Sequence, residues 1–228
     1  CGDAPLITPA TLRRLVRTHR RLKAAATVLT ACVRHPFGYG RVLRDPADSR
    51  WVRRIAEEKD ATPEERRVTE VNSGAYCFDA PRLWQALGRL DNRNRKKEYY
   101  LTDVVERLAR GGARVAAVRT EDAAEILGVN SRRELAEAAG VLNQRKLAAV
   151  QAAGVTIWDP ASTWIDPLVR VGRDTELLPG TRLIGRTVVG GRNRIGPAAE
   201  LADSVTGDGV VIRHSVVEGS RLGRGVRV

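Results

Sequence analysis

From about Trp164 onward, the apolar positions of the chain fall into a period of six. Val171, Leu177, Leu183, Val189, Ile195 and Leu201 follow one another at that spacing. The period resumes at Val205, Val211 and Val217, and again at Leu222 and Val228, after slips of four and five. Glycine often stands next, as in Val171-Gly172, Val189-Gly190, Ile195-Gly196 and Leu222-Gly223. A helix returns its apolar residues every three or four positions and a half-buried strand every two, so this spacing belongs to neither. It matches a triangular solenoid, in which each face takes six residues and turns one aliphatic side chain inward. The segment therefore predicts the start of a left-handed parallel β-helix, with about three coils at three hexads per coil.

Ahead of the repeat, helix and strand signals alternate. Thr8 reads as an N-cap with Pro9 at the first helical position. Leu12, Leu15, Val16, His19 and Leu22 then give one apolar stripe at helical spacing. Strands are predicted over 26–33, 41–43, 51–56, 70–78 and 114–118. Helices are predicted through Leu83, Trp84 and Leu87, and over 101–109 up to Gly111-Gly112. This alternation predicts an α/β domain with a mainly parallel, Rossmann-like sheet. Ser131 can cap a further helix running to about Ala153, which at 1.5 Å per residue spans roughly 35 Å. Its stripe begins Leu135, Ala139, Leu142, is interrupted at Lys146 and resumes with Leu147 and Val150. That helix suits an arm between two bodies and a packing helix of the first domain equally well. The resulting division is a partial α/β domain over 1–130, a connecting helix over 131–154 and the β-helix over 155–228.

Composition changes this picture in three places. Met is absent from the 228 residues, and the chain opens at Cys1 and stops at Val228 in mid-pattern, so a fragment lacking both ends is expected. No apolar stretch approaches the ~20 residues that cross a bilayer and no signal peptide opens the chain, so a cytoplasmic protein without a membrane partner is expected. The three cysteines, Cys1, Cys32 and Cys77, form no CxxC pair and fit a reducing compartment. The net charge is +12, from 39 Lys and Arg against 27 acids. Arg13, Arg14, Arg17, Arg20, Arg21 and Lys23 make one basic patch, and Arg93, Arg95, Lys96 and Lys97 another. No nucleic-acid module contains them and aromatics are only 4%, too few for stacking platforms, so a solvated basic surface is the reading and no nucleic-acid partner is expected. A phosphorylated small substrate would also welcome some of this charge.

No P-loop, GxGxxG, HExxH or GxSxG motif is present. His19 lies on a helix stripe, His35 precedes Pro36 and His214 falls in a β-helix coil, so histidine-centred catalysis has no support. What remains is a set of small polar residues at strand ends, Asp3, Asn72 and Asn130. Ligands of open α/β sheets bind outside the carboxyl ends of strands, and such oxygens suit a hard cation such as Mg²⁺ that shares substrate phosphates. Asn130 reads equally as part of a helix-capping turn.

These residues sit in recognisable segments. Cys1-Gly2-Asp3-Ala4-Pro5-Leu6-Ile7 resembles the YGDxPL segment of sugar nucleotidylyltransferases. Phe37-Gly38-Tyr39-Gly40-Arg41, Ile55-Ala56-Glu57-Glu58-Lys59-Asp60-Ala61-Thr62 and Val71-Asn72-Ser73-Gly74 continue the series. Glu98-Tyr99-Tyr100-Leu101-Thr102-Asp103 and Gly128-Val129-Asn130-Ser131-Arg132 complete it in order, before the long helix and the hexads. Together they resemble the bacterial family of bifunctional N-acetylglucosamine-1-phosphate uridylyltransferase/glucosamine-1-phosphate acetyltransferases, and Trp164-Ile165-Asp166 is most like its actinobacterial members. The resemblance covers essentially the whole chain.

The resemblance implies a reaction in which UTP and N-acetylglucosamine-1-phosphate give UDP-N-acetylglucosamine and pyrophosphate, for cell-wall precursor synthesis. It implies that Asp3 and Asn130 hold a catalytic Mg²⁺. It places Gly40, Glu57 and Asn72 on the N-acetylglucosamine moiety, Tyr100 and Thr102 along the sugar or phosphate side, and Cys1 and Gly2 beside Asp3 at the substrate. It also implies a homotrimer formed through the β-helix. The family's triphosphate-binding loop falls before Cys1, and its acetyl-CoA site after Val228. Cys1 departs from the family's usual Tyr, and Asp91-Asn92-Arg93-Asn94-Arg95-Lys96-Lys97 replaces a more neutral loop. The alternatives are another sugar-1-phosphate nucleotidylyltransferase with a β-helical tail and an inactive scaffold fragment.

Overall fold

Thr8 opens the first helix, α1 (Pro9–Leu22), by accepting the Thr11 N–H on its side-chain oxygen at 3.2 Å, and Pro9 supplies a pre-set φ. The buried face differs from the expected stripe: Thr11 and Leu15 are buried while Leu12 and Val16 stay exposed. The cause is polar, because the Thr11 hydroxyl donates to the buried Glu125 carboxylate at 2.9 Å. The computed structural model describes residues 2–95 and 97–228, and the chain divides into two units, Cys1–Asn130 and Ser131–Val228.

In the first unit, β1 (Ala26–Cys32), β2 (Arg41–Arg44), β3 (Val52–Ala56), β4 (Glu70–Phe78) and β5 (Val115–Arg119) form one sheet in the order β3-β2-β4-β1-β5. The α/β class holds, but the sheet is not mainly parallel. Of these pairings only β1–β5 is parallel; β1–β4, β2–β4 and β2–β3 are antiparallel. A parallel pair needs a crossover of a dozen or more residues. The loop Asp45–Trp51 between β2 and β3 is too short for one, whereas the chain between β1 and β5 carries α3 (Ala80–Leu87) and α4 (Thr102–Arg110). One short helix escaped the sequence pattern, α2 (Pro63–Arg66), closed by a reciprocal cap between Thr62 and Glu65. Val28, Val42, Val52, Ile55, Val104 and Val105 fill the core between sheet and helices.

The second unit begins with α5 (Arg132–Ala152), capped by Ser131 accepting the Glu134 N–H. Leu135 and Leu142 stay exposed, and its buried positions are Ala138, Asn143, Leu147 and Val150. The interrupting Lys146 donates its ammonium to the carbonyls of Pro167 and Val169 at 3.0 and 2.7 Å. Desolvation lowers its pKa. A three-sided parallel β-helix follows, with four strands on each side, one coil more than the hexads predicted. Its first strand is Thr156–Ile157, ahead of Trp164. The three-sided parallel architecture is consistent with the left-handed hexapeptide class.

Ile165, Leu177, Leu183, Val189, Ile195 and Leu201 point inward and are buried. Beyond Leu201 the inward residues are Thr206 and Ile212, not Val205 and Val211, while Val217 is buried as expected. Pairing of Val188 with Val205 sets Thr206 under Val189, so the register follows the ladder and not the apolar count. A second buried position, two residues before the first, carries Thr163, Thr175, Thr181, Thr187 and Ser204. Their hydroxyls satisfy backbone carbonyls; Thr181 and Thr187 donate to Leu178 and Ile184, each at 2.7 Å. Gly172, Gly190, Gly207 and Gly223 mark one corner where coils touch, while Gly196 stands at another: a Cβ on Gly190 would lie 2.4 Å from the Gly207 carbonyl oxygen. Among the described residues, no helix is long and apolar enough to cross a membrane.

Candidate active site

The turn before β2 brings Gly40 against β4, where the Gly40 carbonyl accepts the Asn72 N–H at 2.9 Å. A Cβ on Gly40 would stand 2.9 Å from Ile55 Cγ2 and 3.5 Å from Glu57 Oε1. Glu57 follows β3 directly and closes a turn in which its carbonyl accepts the N–H groups of Asp60 and Ala61, at 3.0 and 2.8 Å. Its carboxylate accepts the hydroxyl of Thr102 at 2.8 Å, from the first residue of α4. Four separate parts of the chain, the turn before β2, the turn after β3, β4 and α4, thus bring Gly40, Glu57, Asn72 and Thr102 together. Asn72 lies where the β1–β4 ladder is irregular, and its Oδ1 accepts the Gly74 N–H at 3.0 Å.

Three residues that the sequence did not single out complete this cluster. Tyr76 is raised in pKa, chiefly by burial, against a hydrogen bond with Asn72 that works the other way. Arg41, 2% exposed, pairs with Glu58 at 2.7 Å and donates to the Tyr39 carbonyl. Burial works to raise the Glu58 carboxyl, but bonds from Arg41 and the Gly38 N–H outweigh it and hold the group below its ordinary value. The pair ties the Gly38–Gly40 turn to the residue beside Glu57. The third is Asp60, which with Glu57, Arg54, Arg89, Arg107 and Tyr100 borders a cavity of about 1040 Å³. The roles of Arg41 and Asp60 come from pairings that no sequence spacing encodes.

Asp3 and Asn130 form a second group. The Asp3 carbonyl accepts the N–H of Val129, the residue before Asn130, at 2.7 Å, and both Asp3 and Asn130 are exposed. Gly2 is exposed, with open space where a Cβ would stand. Cys1 lies outside the described residues. Among the described residues no group of three or more His, Cys, Asp or Glu could hold a metal ion. One carboxylate and one amide oxygen nevertheless fit Mg²⁺, which keeps waters and takes further oxygens from substrate phosphates. His19 packs as expected: its ring meets the Thr27 hydroxyl at 3.0 Å, and burial lowers its pKa.

Residues 2–166 match the family model described as nucleotidyl transferase. Proteins named "Bifunctional protein GlmU" are similar over nearly the whole chain. That of Mycobacterium bovis is 48% identical over 227 residues, covering 100% of this chain and 46% of the relative. That of Thermobifida fusca is 48% identical over 98% of this chain and 46% of its own length. The Geobacillus protein is 44% identical over 100% of this chain and 49% of its own length. The chain spans about half the length of the curated relatives it matches.

Proposed function

The chain belongs to the nucleotidyl transferase family, and from that premise we propose that it carries the sugar-phosphate side of a uridylyltransferase making UDP-N-acetylglucosamine. The observation that carries this reading is the joining of Gly40, Glu57, Asn72 and Thr102 from separate elements, with Glu57 at the border of the cavity. The names of the relatives support it. In the reaction, an oxygen of N-acetylglucosamine-1-phosphate attacks the α-phosphate of UTP, and pyrophosphate leaves. Such a transfer depends on positioning and charge neutralisation, with no protein nucleophile required. Gly40 lets the backbone approach the sugar closely, while Glu57 accepts and Asn72 accepts and donates at its hydroxyl and amide groups. Thr102 fixes the Glu57 carboxylate, so that its free lone pairs face the ligand. Mg²⁺, held by Asp3 and Asn130, would neutralise negative charge on the phosphates.

Assembly as a homotrimer through the β-helix, a cytoplasmic location and, in a longer parent, acetyl transfer from acetyl-CoA belong to the same proposal. Calorimetry tests its core. With Mg²⁺ present, the chain is expected to bind N-acetylglucosamine-1-phosphate and UDP-N-acetylglucosamine, and to bind glucose-1-phosphate more weakly. Thr102→Val should weaken the sugar-phosphate binding about 10-fold, as the loss of one hydrogen bond to a charged group predicts. Silence toward both N-acetylglucosamine ligands would favour a scaffold, and preference for glucose-1-phosphate would favour the other sugar.

A further inference from the structure

Two buried side-chain atoms have no hydrogen-bond partner among the described residues: Oδ2 of Asp60 and the phenolic oxygen of Tyr100. Both residues line the cavity that Glu57 borders. Buried polar atoms are nearly always partnered, because leaving one bare forfeits its hydration without return. Neither group is loose. Asp60 is held in the turn after β3, and its other oxygen, Oδ1, accepts the Arg95 N–H at 3.2 Å, so turning Oδ2 elsewhere would break that bond. Tyr100 is fixed at the entrance to α4, its carbonyl accepting the Asp103 N–H at 3.1 Å. Burial first, then the charges of Asp60, Glu98, Glu57 and Asp103, raise the phenol above its ordinary value, so it keeps its proton to donate.

A single partner meeting both atoms would have to donate to a carboxylate oxygen and accept from a phenol. An ammonium only donates, and a phosphate only accepts and would meet the carboxylate unfavourably. A hydroxyl does both through one atom, as does a water, and the deoxy ligands of the test tell the two apart. We propose that Asp60 and Tyr100 form a two-point subsite for one ring hydroxyl of the sugar, which donates to Asp60 Oδ2 and accepts from the Tyr100 O–H. This rests on the sugar-phosphate reading of the pocket, and makes Asp60 a specificity residue of that site.

The test is calorimetric titration of the full 228-residue chain with N-acetylglucosamine-1-phosphate and its 3-, 4- and 6-deoxy forms. Wild type is compared with Asp60→Asn, which keeps an oxygen for the Arg95 N–H, and Tyr100→Phe, which keeps the ring. One deoxy form should bind wild type about 10-fold or more weakly, in line with a hydrogen bond to a charged group. Asp60→Asn should weaken the parent ligand by a similar factor, and that one deoxy form should then bind wild type and variant alike. A wild-type chain indifferent to every deoxygenation overturns the subsite. So do variants that bind the parent ligand like wild type, or that lose all ligands by one factor as a purely structural role would require. Failure of the wild type to bind any of the four overturns the sugar-phosphate reading and the subsite with it. Binding unaffected by the variants overturns the subsite alone.

Discussion

A single missing carbon decides much at Gly40. Its φ is not positive, so what the position demands is room and not a special backbone conformation. The nearest obstacle is Ile55 Cγ2 at 2.9 Å, and Ile55 is buried and branched at Cβ, so it cannot swing aside as a long side chain would. Gly40→Ala should therefore lower stability by about 1–3 kcal/mol and press on the Glu57 carboxylate that Thr102 holds. Urea denaturation and the affinity for N-acetylglucosamine-1-phosphate measure the two effects. A variant unchanged in both would show that the turn gives way freely. At this scale the sequence revealed Gly40, Glu57, Asn72 and Thr102 through ordered motifs. Glu58 and Asp60 stayed hidden, because their roles come from partners distant in sequence, Arg41 for Glu58 and Arg95 for Asp60, while Tyr76 is tied to Asn72 four residues away on the same strand.

Among elements, α5 shows how a break in a pattern can be its most informative part. Asn143 and Lys146 spoil the apolar stripe, yet both bind the first coil of the β-helix. The Asn143 side chain donates to the Thr163 carbonyl at 2.9 Å and accepts the Ile165 N–H at 3.0 Å. An amide side chain thus stands in for the neighbouring strand that Trp164–Ile165 lacks on that side, where its ladder ends. Open strand edges need such cover. Asn143→Leu is expected to lower the stability of the second unit by about 2–4 kcal/mol, since two buried backbone groups lose their partners. Thermal unfolding followed by β-sheet circular dichroism checks it, and a shift within error would refute the capping role. The long helix itself was legible from Ser131 onward, because its cap and length are local properties. Which face it buries was not, since Leu135 and Leu142 satisfy helical spacing and still remain exposed. The sheet's direction failed similarly: alternation announces layers, but loop lengths decide whether neighbours run parallel.

For the whole molecule, the two units rest on different kinds of order. The first depends on contacts far apart in sequence, as between Thr11 and Glu125 or Glu57 and Thr102. The second is nearly one-dimensional: each coil hydrogen-bonds to the next, and the inward residues Ile157, Ile165, Leu177, Leu183, Ile195 and Leu201 stack in a core that also takes in Leu147 and Val150 of α5. That is why period six exposed the second unit so readily, while the first was readable in its elements and not in its sheet. Solenoid stability is close to a sum of coils and the interfaces between them, and the core of Ser131–Val228 is drawn from its own residues. Residues 131–228 expressed alone should therefore fold, with a β-rich circular dichroism spectrum and one cooperative melt. Ile195→Ala, at a fully buried middle coil, should lower that fragment's stability by about 2–5 kcal/mol. A fragment without a cooperative transition would mean that stacked coils and a capping helix do not suffice, and that this unit's stability is not the local sum its repeat implies.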